Sequence, residues 1–180
     1  MFHILQREVA AARTWNVMAR TRKRTIFPPD EHDHAACVSS ARQRAEEAFR
    51  GAGLRMTPLR ACVFEEISSS HRAVGAYEIL ERIAARGQRL APISVYRALD
   101  ALVEAGVVHR LESRNAFFAC HQQHASARPY LVLVCNGCGR VAETPAPQVW
   151  DAIDAAVSAV DFAFEGSLVE VTGRCRPCER

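Results

Sequence analysis

The sequence predicts an α+β chain in two parts: four helices closed by a β-hairpin, then a small α/β unit held by sulfur. Three observations predict it. Apolar residues recur at helical spacing between residues 39 and 106. The pattern then switches to short β-rich runs, beginning with "VVHRLE". Finally, two Cys-x-x-Cys pairs, in "LVCNGCGRVAE" and "GRCRPCER", bracket the second half.

The totals agree with a folded chain. Its 180 residues suit one medium domain or two small ones, and 49% hydrophobic with 24% charged is not a disordered composition. No apolar run approaches the roughly 20 residues that cross a bilayer. The apolar patch before Gln6 is too short for a secretory signal, so the expected location is the cytoplasm. Charge is uneven. Residues 1–120 carry 18 Lys and Arg against 13 Asp and Glu, or +5, and residues 121–180 carry 5 against 7, or −2. The first part is therefore biased toward a polyanion.

Residues 1–36 read as a flexible extension. Within it "RTRKR" is a solvated arm that can add phosphate contacts, and "HDHAAC" sets His32, His34 and Cys37 at metal-like spacing in a polar lead-in. Met18 is a second candidate start. Residues 37–120 form the helical part. "SSARQRAEEAF" is a helix with Ser39 as its cap. Thr57 is a natural N-cap for the next, Pro58 fits its first position, and Leu59, Cys62, Val63 and Ile67 share one face. Cys62 is thus expected in the core, and His71 in a surface loop. "GAYEILERIAARG" turns Ile79, Leu80 and Ile83 inward and stops at Gly87; "APISVYRALDALVEAG" does the same with Val95, Leu99, Leu102 and Val103, ending at Gly106. "VVHRLE" and "AFFAC", joined by "SRN", signal a hairpin.

That succession makes a winged helix-turn-helix, whose fourth helix would enter the major groove. Ser94, Tyr96 and Arg97 lie near its N-terminal end, where recognition helices touch bases. An ordinary amphipathic surface helix would show the same periodicity.

Residues 121–180 form the second part. "YLVLV", "RVAET" and "SLVEVTG" read as strands, and "PQVWDAIDAAVSAV" as a helix with Val149, Ile153, Val157 and Val160 inward. So small a unit has little core of its own, and a metal staple or a partner subunit is the usual remedy.

The chain has seven cysteines, and an odd count without a secretory signal argues against a disulfide framework. Cys135, Cys138, Cys175 and Cys178 make two knuckle turns, a soft four-sulfur set that suits zinc, with Gly137, Gly139 and Gly173 easing the backbone around it. A redox dithiol is the other use of one such pair. Four sulfurs leave no open position, so the site is structural and does not catalyse. The sequence has no glycine-rich phosphate loop, nucleophile motif or His-Glu-x-x-His helix, so an enzyme is not expected.

"GLRMTPLRACVFEEI", "GAYEIL", "SVYRALDALVEAGVVHRLES" and "LVCNGCGRVAE…GRCRPC", in that order, resemble the ferric uptake regulator (Fur) family from about Ser39 to Cys178. The resemblance implies a homodimer with winged-helix and dimerisation domains that clamps double-stranded operator DNA when metal binds at the hinge. It adds Tyr77 to the DNA-facing residues. Within the family the zinc-sensing branch is most similar. Its sensing ligands fall on His109, Cys120, His124 and Glu143, with His121 able to replace His124. The implied function is a zinc-responsive repressor of zinc uptake genes; an iron, manganese or peroxide sensor of the same family is the alternative. A thiolate, two imidazoles and one carboxylate suit zinc on chemical grounds as well.

Overall fold

The structure is a computed structural model and describes residues 26–27, 34–120, 130–163 and 168–179. "RTRKR", His32, His121 and His124 lie outside the described residues.

The helical part is built from local signals. Helix α1 (His34–Gly51) starts before Ser39, so that serine is not its cap, and the helix reaches back into the expected extension. Its buried Ala41, Ala45 and Phe49 recur every four residues, and that stripe overrides the weaker serine signal. Helix α2 (Pro58–Ser68) follows the expected cap, Thr57 Oγ1 accepting from the N–H of Arg60 at 3.3 Å. Helices α3 (Ala76–Ala85) and α4 (Pro92–Glu104) follow, and Gly87 and Gly106 end them with φ of 86° and 69°. Only glycine takes that left-handed backbone without strain.

Val63, Ile67, Ile79, Ile83, Val95, Leu99 and Leu102 fill the core. Cys62 packs on its edge, half-buried, its Sγ 3.8 Å from Gln88 Oε1. Val103 was expected inward, but it is exposed and Ala98 is buried instead. The inward stripe of α4 runs through 95, 98, 99 and 102, and 103 turns away from it.

The wing has three strands in the order β1-β3-β2. Strand β1 (Val74–Gly75), too short to leave a sequence pattern, pairs with β3 (Ala116–Ala119), which pairs with β2 (Val108–Leu111). The turn Glu112–Arg114 joins β2 to β3 and closes on Asn115 at φ 45°.

The second sheet runs β5-β4-β6. Strand β4 (Tyr130–Cys135) lies antiparallel to β5 (Val141–Pro145) and parallel to β6 (Val169–Gly173). Helix α5 (Pro147–Ser158) connects them and buries only Trp150. Of the residues expected inward there, Ile153 and Val157 are half-buried, while Val149 and Val160 are exposed. The expectation of a fully inward face is therefore corrected: among the described residues, most of that face is left uncovered. No helix among the described residues is long and apolar enough to cross a membrane.

The two sheets meet through a second small core. Leu111 and Phe118 of the wing pack with Val132, Val134 and Val141. Val108, Phe117 and Ala119 of the same hairpin belong to the helical core. The hairpin is therefore covered on both faces, which is why every residue of "AFFA" is buried.

Candidate metal centres and nucleic-acid interface

The four sulfurs of Cys135, Cys138, Cys175 and Cys178 lie within 4.8 Å of one another. Strands β4 and β6 run parallel with Cys135 opposite Gly173, so both knuckles leave the sheet at the same end. The Asn136 N–H donates to the Gly173 carbonyl at 2.7 Å and ties one knuckle to the other. Gly139 curls the first knuckle at φ 73°. Gly137 lets the second approach: a Cβ there would stand 2.8 Å from Cys178 Cβ. Gly173 has neither role, since nothing lies within 4 Å of its missing Cβ and its φ is not left-handed.

The spacing fits a metal. A tetrahedron with metal–sulfur bonds of about 2.3 Å has edges of about 3.8 Å. Cys175 Sγ is 3.5 Å from Cys135 Sγ and 3.7 Å from Cys138 Sγ. Protonation is uneven. Burial pushes the Cys135 thiol up, but the N–H groups of Cys175, Cys138 and Gly137 outweigh it and lower it to about 5. Burial raises Cys175. Cys178 is pushed up to about 12, first by its hydrogen bond with Cys175 and then by burial. Sulfurs this close resist ionising together, and a central dication removes that penalty.

A second cluster joins His109, Cys120 and Glu143, their ligand atoms also within 4.8 Å of one another. The hairpin register explains it. His109 pairs with Phe118, and the Cys120 N–H donates to Val107 O at 3.0 Å, so Cys120 sits diagonally from His109 on the same face. That face meets the second sheet, where β5 supplies Glu143. His109 Nε2 is 3.4 Å from Glu143 Oε1, near the tetrahedral edge of about 3.3 Å for nitrogen and oxygen ligands of zinc. Cys120 and Glu143 are buried and His109 is half-buried against Phe118, ring centroids 5.4 Å apart. Three of the four expected sensing ligands thus come together, two from the wing and one from the sheet. Cys37, half-buried on α1, belongs to neither cluster.

On the turn motif, Tyr77 is 69% exposed near the start of α3. On α4, Tyr96 and Arg97 are exposed and Ser94 is half-buried. Ile93, 58% exposed, adds an apolar side chain to this surface. It lies three and four residues before Tyr96 and Arg97, so all three share one outward face, a periodicity legible in "PISVYR".

Residues 51–172 match the model of the ferric uptake regulator family. The zinc uptake regulation protein of Escherichia coli is 32% identical over 135 residues, 75% of this chain and 79% of that protein. A solved zinc uptake regulator complexed with zinc and DNA superposes with a TM-score of 0.73 at 30% identity, covering 79% of this chain and 95% of the other. The crystal structure of holo XcZur superposes with a TM-score of 0.70 at 37% identity, covering 79% and 98%.

Proposed function

This chain belongs to the ferric uptake regulator family of metal-responsive transcription regulators, and from that premise we propose that the metal it answers to is zinc. It is a repressor that binds double-stranded operator DNA as a homodimer and silences zinc uptake genes. The observation that carries this reading is the place of His109, Cys120 and Glu143, across the joint between the wing and the second sheet. A metal held there stabilises only the closed arrangement of the joint, so its binding free energy selects that arrangement.

The thiolate in that set favours zinc over harder divalent ions. The family resemblance assigns the fourth ligand to His124, with His121 as the other candidate. His109, Cys120 and Glu143 would hold zinc there through an imidazole, a thiolate and a carboxylate, and the ion would supply the positive charge that offsets their crowding. Cys135, Cys138, Cys175 and Cys178 hold a separate structural zinc and no reactant.

The division of labour follows. Residues 37–120 bind DNA, Arg97 reaching a base edge while Tyr77, Ser94 and Tyr96 lie along the same surface. Residues 121–180 form the dimer. The exposed Val149, Val160, Phe162 and Val171 support that assignment, since they offer apolar surface for a second subunit to cover.

The test is a metal titration of operator binding by fluorescence anisotropy, with metal content measured in the same preparation. Zinc is expected to raise affinity at lower free concentration than iron(II) or manganese(II). Equal or better response to either would replace zinc as the signal.

A further inference from the structure

One row of the second sheet grips the wing at two points. Val132 on β4 lies opposite Glu143 on β5 and opposite Glu170 on β6. Residues paired across strands leave the same face, so Glu143, Val132 and Glu170 form one row facing the wing. At one end Glu143 meets His109 and Cys120. At the other, the Glu170 carboxylate accepts the backbone N–H of Glu112 at 2.8 Å and the hydroxyl of Ser113. Beside it Arg114 Nη2 donates to Asn136 Oδ1 at 2.8 Å, within the first cysteine knuckle.

The spans agree. Two interstrand steps cover roughly 10 Å, and three extended residues from His109 to Glu112 cover about the same. Strand β2 therefore lies across the row, with a carboxylate at each end and Val132 packed with Leu111 and Phe118 in the cluster between. The Glu170 carboxylate also satisfies an N–H at the start of the turn Glu112–Arg114, where a helical turn leaves its donors unpaired.

We propose that Glu170 is a positioning residue for the regulatory site: by holding the wing tip it sets the hairpin across the sheet so that His109 and Cys120 arrive beside Glu143. The proposal rests on the reading of that cluster as the sensing site. Without Glu170 the hairpin keeps its apolar packing but loses one of two fixed ends. The cluster must then be ordered by the metal itself, and affinity for the metal falls.

The experiment uses the full chain loaded with zinc at the four cysteines, and competes the second zinc against a chelator of known affinity. Amide hydrogen exchange of residues 108–119 is followed in parallel. Glu170→Ala is expected to keep the first zinc, weaken the second about tenfold and speed exchange in the hairpin. Glu170→Gln is expected to restore most of both, because its amide oxygen still accepts from Glu112 and Ser113 can accept from its N–H. Arg114→Ala, at an exposed position, moves both readouts the same way by less. No second zinc in the unmodified chain overturns the sensing reading. A second zinc of equal affinity in Glu170→Ala overturns the positioning role alone. Equal losses in the Ala and Gln variants, matched by equal losses in melting temperature, would reduce Glu170 to a general stabilising charge and overturn it as well.

Discussion

Gly137 stands where the two sulfur-bearing turns meet, and adding one methyl group there tests the geometry of the four-cysteine site. The Cβ of a Gly137→Ala variant would lie 2.8 Å from Cys178 Cβ and 2.9 Å from Cys178 Sγ. Carbon atoms in good contact sit about 3.5–4.0 Å apart, so the pair is too close by about 0.7 Å or more. The φ of Gly137 is not left-handed, so the backbone accepts alanine and the cost is the clash alone. Cys178 cannot yield freely, because its Cβ carries a metal ligand whose bond tolerates about 0.2 Å.

Overpacking of this kind costs about 1–3 kcal/mol, which corresponds to roughly 5- to 150-fold weaker zinc at the site. Chelator competition measures the affinity, and thermal melting of the zinc-loaded protein reports the fold. Gly173→Ala is the control: its Cβ meets nothing within 4 Å, and it is expected to be neutral in both assays. Zinc affinity in Gly137→Ala within twofold of the unmodified chain would show that the knuckles do not close on each other at this point. The four-sulfur arrangement would then have to be redrawn.

Arg97→Ala is expected to lower specific operator affinity by about 1–3 kcal/mol in a folded protein; gel shifts at matched salt against specific and random duplexes check it. Cys120→Ser should leave the four-cysteine zinc and the dimer intact while removing the zinc-dependent gain in operator affinity, read by anisotropy titration beside thermal melting; an unchanged zinc midpoint would make Cys120 a plain core residue. Cys175→Ser should release the C-terminal turn and weaken the dimer, seen by analytical ultracentrifugation, and a stable dimer retaining all its zinc would contradict it. Ile93→Ala should lose about 1 kcal/mol on operators whose thymine methyls face α4 and nothing on the same duplexes with deoxyuridine, since one buried methyl contributes about that much.

What the sequence disclosed was what is local. Thr57 and Pro58 mark a helix start because cap and first turn are adjacent in the chain, and the structure has that bond. The cysteine knuckles are legible because each pair brings its own turn. Pattern failed where a neighbour distant in sequence decides burial. The unbroken apolar run "AFFA" signals burial on both faces but not what covers them, since one cover comes from helices and the other from β4 and β5. Strand β1 has two residues and exists only through its pairing with β3. The inward face expected of α5 failed at Val149 and Val160, because among the described residues no surface packs over them. Glu170 left no signal at all, since its importance comes from a register that sets it beside Val132, in one row with Glu143.

The unequal size of the two cores gives the joint its mechanical character. Among the described residues the helical core is large and continuous from Ala41 to Ala119, while the layer between wing and sheet rests on Leu111, Phe118, Val132, Val134 and Val141. This layer buries far fewer apolar side chains than the helical core, so less burial holds the wing on the sheet. Shifting a two-state joint from 1:99 to 99:1 takes a differential binding free energy of about 5.5 kcal/mol. If the proposed site forms only in the closed arrangement, its zinc affinity is itself the differential; structural zinc sites bind with about 10–16 kcal/mol, so a weaker site could still supply it. A thicker interface would fix one arrangement regardless of metal, and no interface would leave His109 and Cys120 without Glu143. On the proposed reading, the thin apolar layer, closed at one end by a ligand cluster and at the other by Glu170, would let a single ion at one end govern where the recognition helix stands.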